Sequence, residues 1–291
     1  MTSILTNTSA MSALETLRNI NTTLSNTQDR VSSGYKVAQA KDNVAYWSIS
    51  TTMNSDNKAL NAASDALGVG AAKVDTAYAA MESAISAVNE IKAKLVTASE
   101  KSTDKGQIQL EIGKLQEQLS AIAQGASFSG ENWMVATNTQ ASVVDGFIRE
   151  ADGTVKVTTA TFNVETYALF STIANNVGSG GILSAIMTIQ LTSITTQGQI
   201  DTFMDTVETA ISRMTDSAAA LGALQIRVDL QDKYSAKLSD AIESGVSRLV
   251  DADMEEESAK LSAIQTQQQL AIQSLSIANS SSQNLMTLFR Q

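Results

Sequence analysis

The densest group of reactive side chains is a run of carboxylates, Asp251, Asp253, Glu255, Glu256 and Glu257. Oxygen ligands so close together could hold calcium. The calcium-binding helix–loop–helix, however, needs a central glycine and a defined span of ligands, and the run has neither. It reads instead as the solvated acidic start of a helix, where carboxylates meet the positive end of the backbone dipole. Other carriers of chemistry are scarce. The 291 residues include no His and no Cys, which removes the usual general base at neutral pH, the commonest metal ligand, disulfides and thiolates. No catalytic or metal spacing stands out, and neither an enzymatic activity nor a cofactor is expected.

The remaining motifs are weak. Gly178 to Gly181 reads as a loop, and without a following Gly-Lys-Ser/Thr it makes no phosphate cradle. The triplets Asn7-Thr8-Ser9, Asn21-Thr22-Thr23 and Asn279-Ser280-Ser281 match a glycosylation acceptor. They lie in segments expected to be buried in an assembly, so they read as incidental. Tyr46 and Trp47 read as packing anchors rather than a sugar-stacking platform.

A formal net charge of −10 with no basic patch argues against nucleic acid and against an anionic membrane surface. No apolar run approaches a bilayer span. The first residues lack the basic and apolar regions of a secretory signal, so work outside the cell would require another exit route. Proline makes up about 5% of average chains, and this one has none. That suits long uninterrupted helices and refolding without slow isomerisation.

Hydrophobic spacing supplies the elements. Ala10, Leu14, Leu17, Asn21, Leu24, Gln28 and Val31 step by four and three, a heptad seam with two polar members, and Ser32-Ser33-Gly34 ends it. The rhythm resumes through Ile49, Met53, Leu60, Ala63, Leu67, Val74, Tyr78, Met81, Ile85, Val88 and Leu95, with a soft spot at Gly68 and Gly70. Ile108, Ile112, Leu115, Leu119 and Ile122 mark another helix. From Asn132 to Thr195 the heptads lapse, and a hairpin is expected with Asp152-Gly153 as a type I′ turn pair. Helix returns with Ile200, Met204, Val207, Ile211, Met214, Ala218, Leu221 and Val228, then slips phase. The cleanest register is the last: Val250, Met254, Glu257, Leu261, Ile264, Gln268, Ala271, Leu275, Ala278, Ser282, Leu285 and Phe289. It spans roughly 60 Å of helix.

The expected fold is mainly α: an elongated antiparallel rod or coiled coil with paired terminal helices and a small β-rich central insertion. Beyond Lys260 the only charge is Arg290, and the outer faces carry Ser, Thr, Asn and Gln. Such side chains can be buried when hydrogen-bonded, at far lower cost than Lys or Glu. The large apolar residues are too few to offset the entropy of ordering so long a helix. The last helix, and likewise the first, is therefore expected to be disordered in a free monomer and to gain order among neighbouring copies. A head-to-tail contact that does not close generates an open helical polymer.

These residues resemble bacterial flagellins over about 1–135 and 200–291. Ile4 to Thr8, the heptads from Leu14 to Val31 and "VSSGYKVAQAKDNVAYWSI" follow the order of the family's N-terminal region. Phe128 with "GENWM" stands at the family's Phe-x-Gly corner, and "SRLVDADMEEES" and "SSQNLMTLFR" resemble its C-terminal motifs. Tyr46-Trp47 after Asp42-Asn43, with the short middle, is similar to the alphaproteobacterial, rhizobial branch.

The resemblance implies a structural subunit of the flagellar filament, exported unfolded through the flagellar type III apparatus and polymerised beneath a cap for swimming. Residues 1–44 with 250–291 would form an inner tube, 45–131 with 196–249 a helical rod, and 132–195 a variable surface-exposed insertion. Inner-tube packing would fall to Leu14, Leu17, Leu24, Val31, Leu261, Ile264, Ala271, Leu275, Ala278, Leu285 and Phe289. Implied partners are many copies of the chain, flagellin paralogues, the filament cap, junction proteins and an export chaperone, all in an extracellular filament.

Asn89 to Val96 aligns with the stretch that a vertebrate Toll-like receptor reads in stimulatory flagellins, Gln-Arg-Val-Arg-Glu-Leu-Ala-Val. The equivalent residues here are Glu90, Ile91, Lys92, Ala93 and Lys94, with Glu90 standing for the first Arg, Ala93 for Glu and Lys94 for Leu. Weak or absent stimulation is expected. Two other readings remain: a hook–filament junction protein, which shares the terminal architecture, and a chemoreceptor-like signalling coiled coil, which would not explain the β insertion.

Overall fold

The computed structural model describes the backbone of residues 7–136 and 138–288, and the side chains among these up to residue 280. Four long helices dominate: α1 (Thr8–Ser33), α2 (Val44–Ala98), α6 (Gln197–Val250) and α7 (Met254–Leu288). Between α2 and α6 come α3 (Lys105–Gly125), β1 (Ser127–Phe128), β2 (Glu131–Asn132), β3 (Ala141–Arg149) and β4 (Val155–Phe162). They are followed by α4 (Val164–Tyr167), β5 (Thr172–Ala174), β6 (Val177–Ser179) and α5 (Ser184–Met187). The mainly helical fold with a small β-rich centre is the one the spacing predicts. The strands form three separate antiparallel pairs, β1–β2, β3–β4 and β5–β6.

The chain divides into two compact units, residues 1–57 with 240–291 and residues 58–239. In the second unit one continuous core joins the inward faces of α2, α3 and α6 to Trp133, Met134, Phe162, Leu169 and Phe170 of the connecting segments. Trp133 stacks on Phe162 at 5.6 Å, and Phe162 on Tyr167 at 5.4 Å. Helix α2 runs unbroken through Gly68 and Gly70. The α6 seam does not slip after Val228. Its inward positions pass through Gln231 and Ser235, the latter only 3% exposed, before Ile242, Val246 and Val250 make the inward face apolar again.

In the first unit α1 packs antiparallel to α7, and the short connectors after α1 and α6 are laced together. Lys36 N–H donates to the Val250 carbonyl at 2.8 Å and Ala252 N–H to the Gly34 carbonyl at 2.8 Å. Val37, Val246 and Val250 form a small apolar cluster beneath them.

Two readings of register need correction. On α1 the less exposed positions are Ala10, Ala13, Leu17, Ile20, Leu24, Thr27 and Val31, so the seam runs through Ala13, Ile20 and Thr27 where Leu14, Asn21 and Gln28 were expected. On α2, Ala77 and Ala84 are buried, where Tyr78 and Ile85 were expected. At Ala77 and Ala84 the smaller of two adjacent apolar residues faces inward, which lets helix axes approach.

The expected hairpin is β3–β4, but its turn differs. Ala151, Asp152 and Gly153 make a three-residue loop, with Gly153 N–H donating to the Glu150 carbonyl at 3.0 Å. Of these only Gly153 has positive φ, 87°, as in a hairpin turn followed by one left-handed residue. The Asp152 carboxylate accepts from Thr154 Oγ1 at 2.7 Å and Thr154 N–H at 2.9 Å. A two-residue turn with both residues left-handed occurs at Asn175-Asn176 (φ 49° and 61°), joining β5 to β6.

Candidate assembly surfaces

The α1–α7 pair is set by caps at its ends. Asn7 Oδ1 accepts from Ala10 N–H at 3.0 Å and starts α1, while Asn7 Nδ2 donates across to the Ala278 carbonyl at 3.0 Å. Gly34 ends α1 in the left-handed conformation (φ 77°), its N–H bonded to the Arg30 carbonyl at 2.8 Å. The Asp42 carboxylate accepts from Ala38 and Gln39 N–H at 3.1 and 3.0 Å, folding the connector. Asn43 Oδ1 accepts from Tyr46 N–H at 3.1 Å and opens α2.

The acidic run is resolved into separate jobs. Asp253 Oδ1 accepts from Glu255 and Glu256 N–H at 3.0 and 3.2 Å and caps α7. Glu255 and Glu256 are exposed in the first turn, where negative charge suits the helix dipole. Glu257 is 5% exposed and turns inward to Arg30, with Nη1 to Oε1 at 3.4 Å. Among the described residues no cluster of three or more carboxylates, histidines or cysteines could hold a metal ion.

Along α7, the positions turned toward α1 are Leu261, Ile264, Gln268, Ala271, Leu275 and Ala278, each half-buried. Gln268 Nε2 donates to Asn21 Oδ1 at 2.7 Å, so polar members of the pair satisfy one another. On α1, Leu17, Leu24 and Val31 are half-buried, whereas Leu14 is 38% exposed. Leu285 lies on α7 with its side chain outside the described residues, and Phe289 lies outside them altogether.

The pair also carries apolar side chains that a single seam leaves over. Met11 is 63% exposed on α1, and Leu270, Ile272 and Ile277 are 56%, 53% and 68% exposed on α7. Sequence reasoning did not single these out, although the signal was present as apolar residues without a place on the α7 seam. Tyr46 and Trp47, read as packing anchors, are 44% and 38% exposed. The first unit thus exposes apolar and aromatic side chains on α1, on α7 and at the start of α2.

The stretch from Glu90 to Lys94 sits on α2 in the second unit. Ile91 is fully buried, and Glu90 and Ala93 are exposed. Lys92 pairs with Glu208 of α6. Lys94 Nζ lies 2.6 Å from Glu111 of α3, and this hydrogen bond holds the ammonium above its ordinary pKa.

Comparison with known proteins gives these surfaces a context. The profile of the bacterial flagellin N-terminal helical region matches residues 4–139, and that of the C-terminal helical region matches 204–289. Flagellin C of Rhizobium meliloti (strain 1021) is 48% identical over 322 aligned residues, covering all of both chains. Flagellin A of the same strain is 42% identical over 394. A flagellin of Brucella melitensis biotype 1 is 42% identical over 293, and both alignments again cover all of each chain. Two matching regions at the ends and relatives aligned along the full length make this chain a member of the flagellin family, the structural subunits of the bacterial flagellar filament.

Proposed function

We propose that the α1–α7 pair is the part of the subunit that becomes fully packed only among sister copies in the filament. The observation that carries this reading is the set of exposed apolar side chains on an otherwise uncharged stretch of helix, Leu270, Ile272 and Ile277, together with Met11 and Leu14 on its partner. Apolar surface of this kind contributes to association in proportion to the area removed from water. The neighbouring Ser, Gln and Asn side chains can be buried at low cost where hydrogen-bonded.

In this reading residues 1–44 with 250–291 line the inner tube, 45–131 with 196–249 form the surrounding helical rod, and 132–195 face outward. Leu17, Leu24, Val31, Leu261, Ile264, Ala271, Leu275 and Ala278 close the pair within one chain. Leu14 meets neighbours, and Leu285 and Phe289 extend the packing. The chain is exported unfolded by the flagellar type III apparatus with an export chaperone. It then grows an extracellular filament under the cap, next to junction proteins and beside paralogous flagellins. Supporting the export route are the absence of proline, which spares refolding the slow isomerisation step, and the absence of cysteine. The role is structural, with no catalysis.

The test is seeded elongation. Purified subunit added to short filament fragments is expected to extend them to micrometre length. Seeds that stay short while the subunit remains folded would favour the junction-protein reading.

A further inference from the structure

We propose that a cleft in the first unit, walled by Tyr35 and Trp47, receives a lysine or arginine side chain from a second copy of this chain. The inference rests on the assembly reading above and names a contact within it. The cleft, about 340 Å³, lies between the α1–α2 connector, the start of α2 and the end of α6. Val37, Val246 and Val250 supply an apolar floor, all under 10% exposed. Tyr35 and Trp47 stand beside it, 47% and 38% exposed. Glu243 and Asp251 also line it, and no basic residue does.

The combination selects its occupant. An aliphatic stem fits an apolar floor, a cation is drawn to indole and phenol faces, and two carboxylates hold the charge. A neutral apolar group would leave the carboxylates facing a dry partner, and an anion would be repelled. Lys36, in the α1–α2 connector, is otherwise placed. Lys36 Nζ donates to the Arg248 carbonyl at 3.0 Å, away from the lining.

The walls are held before any partner arrives. Glu243 Oε1 accepts from Asn57 Nδ2 at 3.1 Å, Asp251 N–H donates to the Ser247 carbonyl at 2.9 Å, and Tyr35 is bridged to Asp251 through the backbone. A preformed cleft loses little entropy on filling. The second copy is the favoured donor because a filament surrounds each subunit with others, and because the chain bears exposed cations such as Arg18, Lys58 and Arg213.

The experiment places a photoreactive benzoylphenylalanine at position 47 of the full chain, assembles it on wild-type seeds and illuminates the filaments. Chain-to-chain adducts are expected, mapping to a peptide that contains lysine or arginine. In parallel, Trp47→Ala and Glu243→Gln should each raise the critical concentration for elongation by about tenfold, the equivalent of about 1.4 kcal/mol. Trp47→Phe should raise it less, and the circular dichroism of each monomer should match the wild type. Wild-type elongation accompanied by adducts only within one chain, to a peptide lacking a base or to another protein overturns the proposal, as does an unchanged critical concentration in both variants. If the wild-type chain itself fails to elongate seeds, the assembly reading falls and takes this contact with it.

Discussion

Gly70 of α2 and Val143 of β3 approach so closely that a Cβ added to the glycine would lie 2.0 Å from Val143 Cγ1. The helix can pass beneath the hairpin because that position has no side chain. Val143 is itself 2% exposed within the core, so it has no room to retreat. Gly68, two residues earlier and about 200° around the helix, has nothing within 4 Å of the same added atom.

The two glycines therefore give opposite results. Gly70→Ala gains the helix propensity of alanine but forces the hairpin off the helix, a net loss of about 1–2 kcal/mol. Gly68→Ala gains the propensity alone, up to about 1 kcal/mol. Thermal unfolding of the two monomer variants reads the contrast, and a stabilised Gly70→Ala would show that β3 does not rest on α2 there.

Glu131 carries a pH dependence of known sign. Its carboxylate accepts from Lys73 Nζ at 2.9 Å, and that hydrogen bond holds its pKa below the ordinary value of 4.5. A carboxyl group with a lowered folded-state pKa stabilises the fold above its unfolded pKa and loses that contribution as pH falls through the folded one. The wild type should thus outlast Glu131→Gln in thermal unfolding near neutral pH, with the gap closing as pH drops below 4.5. The Glu131 side chain is 49% exposed, so solvent screening keeps the gap within about 1 kcal/mol. A gap that widens on acidification would contradict the assignment.

How far the sequence could be read depended on whether neighbouring positions competed for the same face. On α7 the inward residues Leu261, Ile264 and Leu275 have no large apolar neighbour beside them in the chain, and the spacing locates them, as it does Ala271 between the exposed Leu270 and Ile272. On α1 and α2 it meets pairs such as Ala13 and Leu14, or Ala77 and Tyr78. Hydrophobicity points to the larger residue, while close helix packing takes the smaller. The Asp152-Gly153 pair looked like a two-residue turn, but the strands end earlier and use three residues, and the left-handed pair is the less conspicuous Asn175-Asn176. Ile277 could have been found as an apolar residue off the α7 seam, whereas the exposure of Trp47 was not legible, because nothing in the spacing around it marks an outward face.

Lys92 and Lys94, tied to Glu208 and Glu111, bear on the receptor-equivalent stretch. If this stretch is the receptor-equivalent one, the exposed Glu90 stands where stimulatory flagellins carry arginine, and a like-charge or unpaired contact of that kind would cost several kcal/mol. Reporter cells expressing the receptor are expected to respond weakly or not at all to the purified monomer. A potent response at concentrations that suffice for stimulatory flagellins would remove the assignment of Glu90 to Lys94.

The two faces of α7 can be separated by moving one carboxylate along the helix. Leu275 is half-buried toward α1, and Ile277 is 68% exposed. Leu275→Asp puts a charge into the seam within the chain; it should abolish filaments while the helical signal of the second unit persists. Ile277→Asp leaves that seam untouched, so the monomer should melt as the wild type does. If Ile277 is covered by a neighbouring copy, however, the carboxylate is desolvated on assembly at a cost of several kcal/mol, enough to raise the critical concentration beyond reach of ordinary elongation assays. Ile277→Leu keeps the apolar surface and should elongate. Normal filaments from Ile277→Asp would mean that this face stays in water and that the outward apolar residues of α7 are not where copies meet.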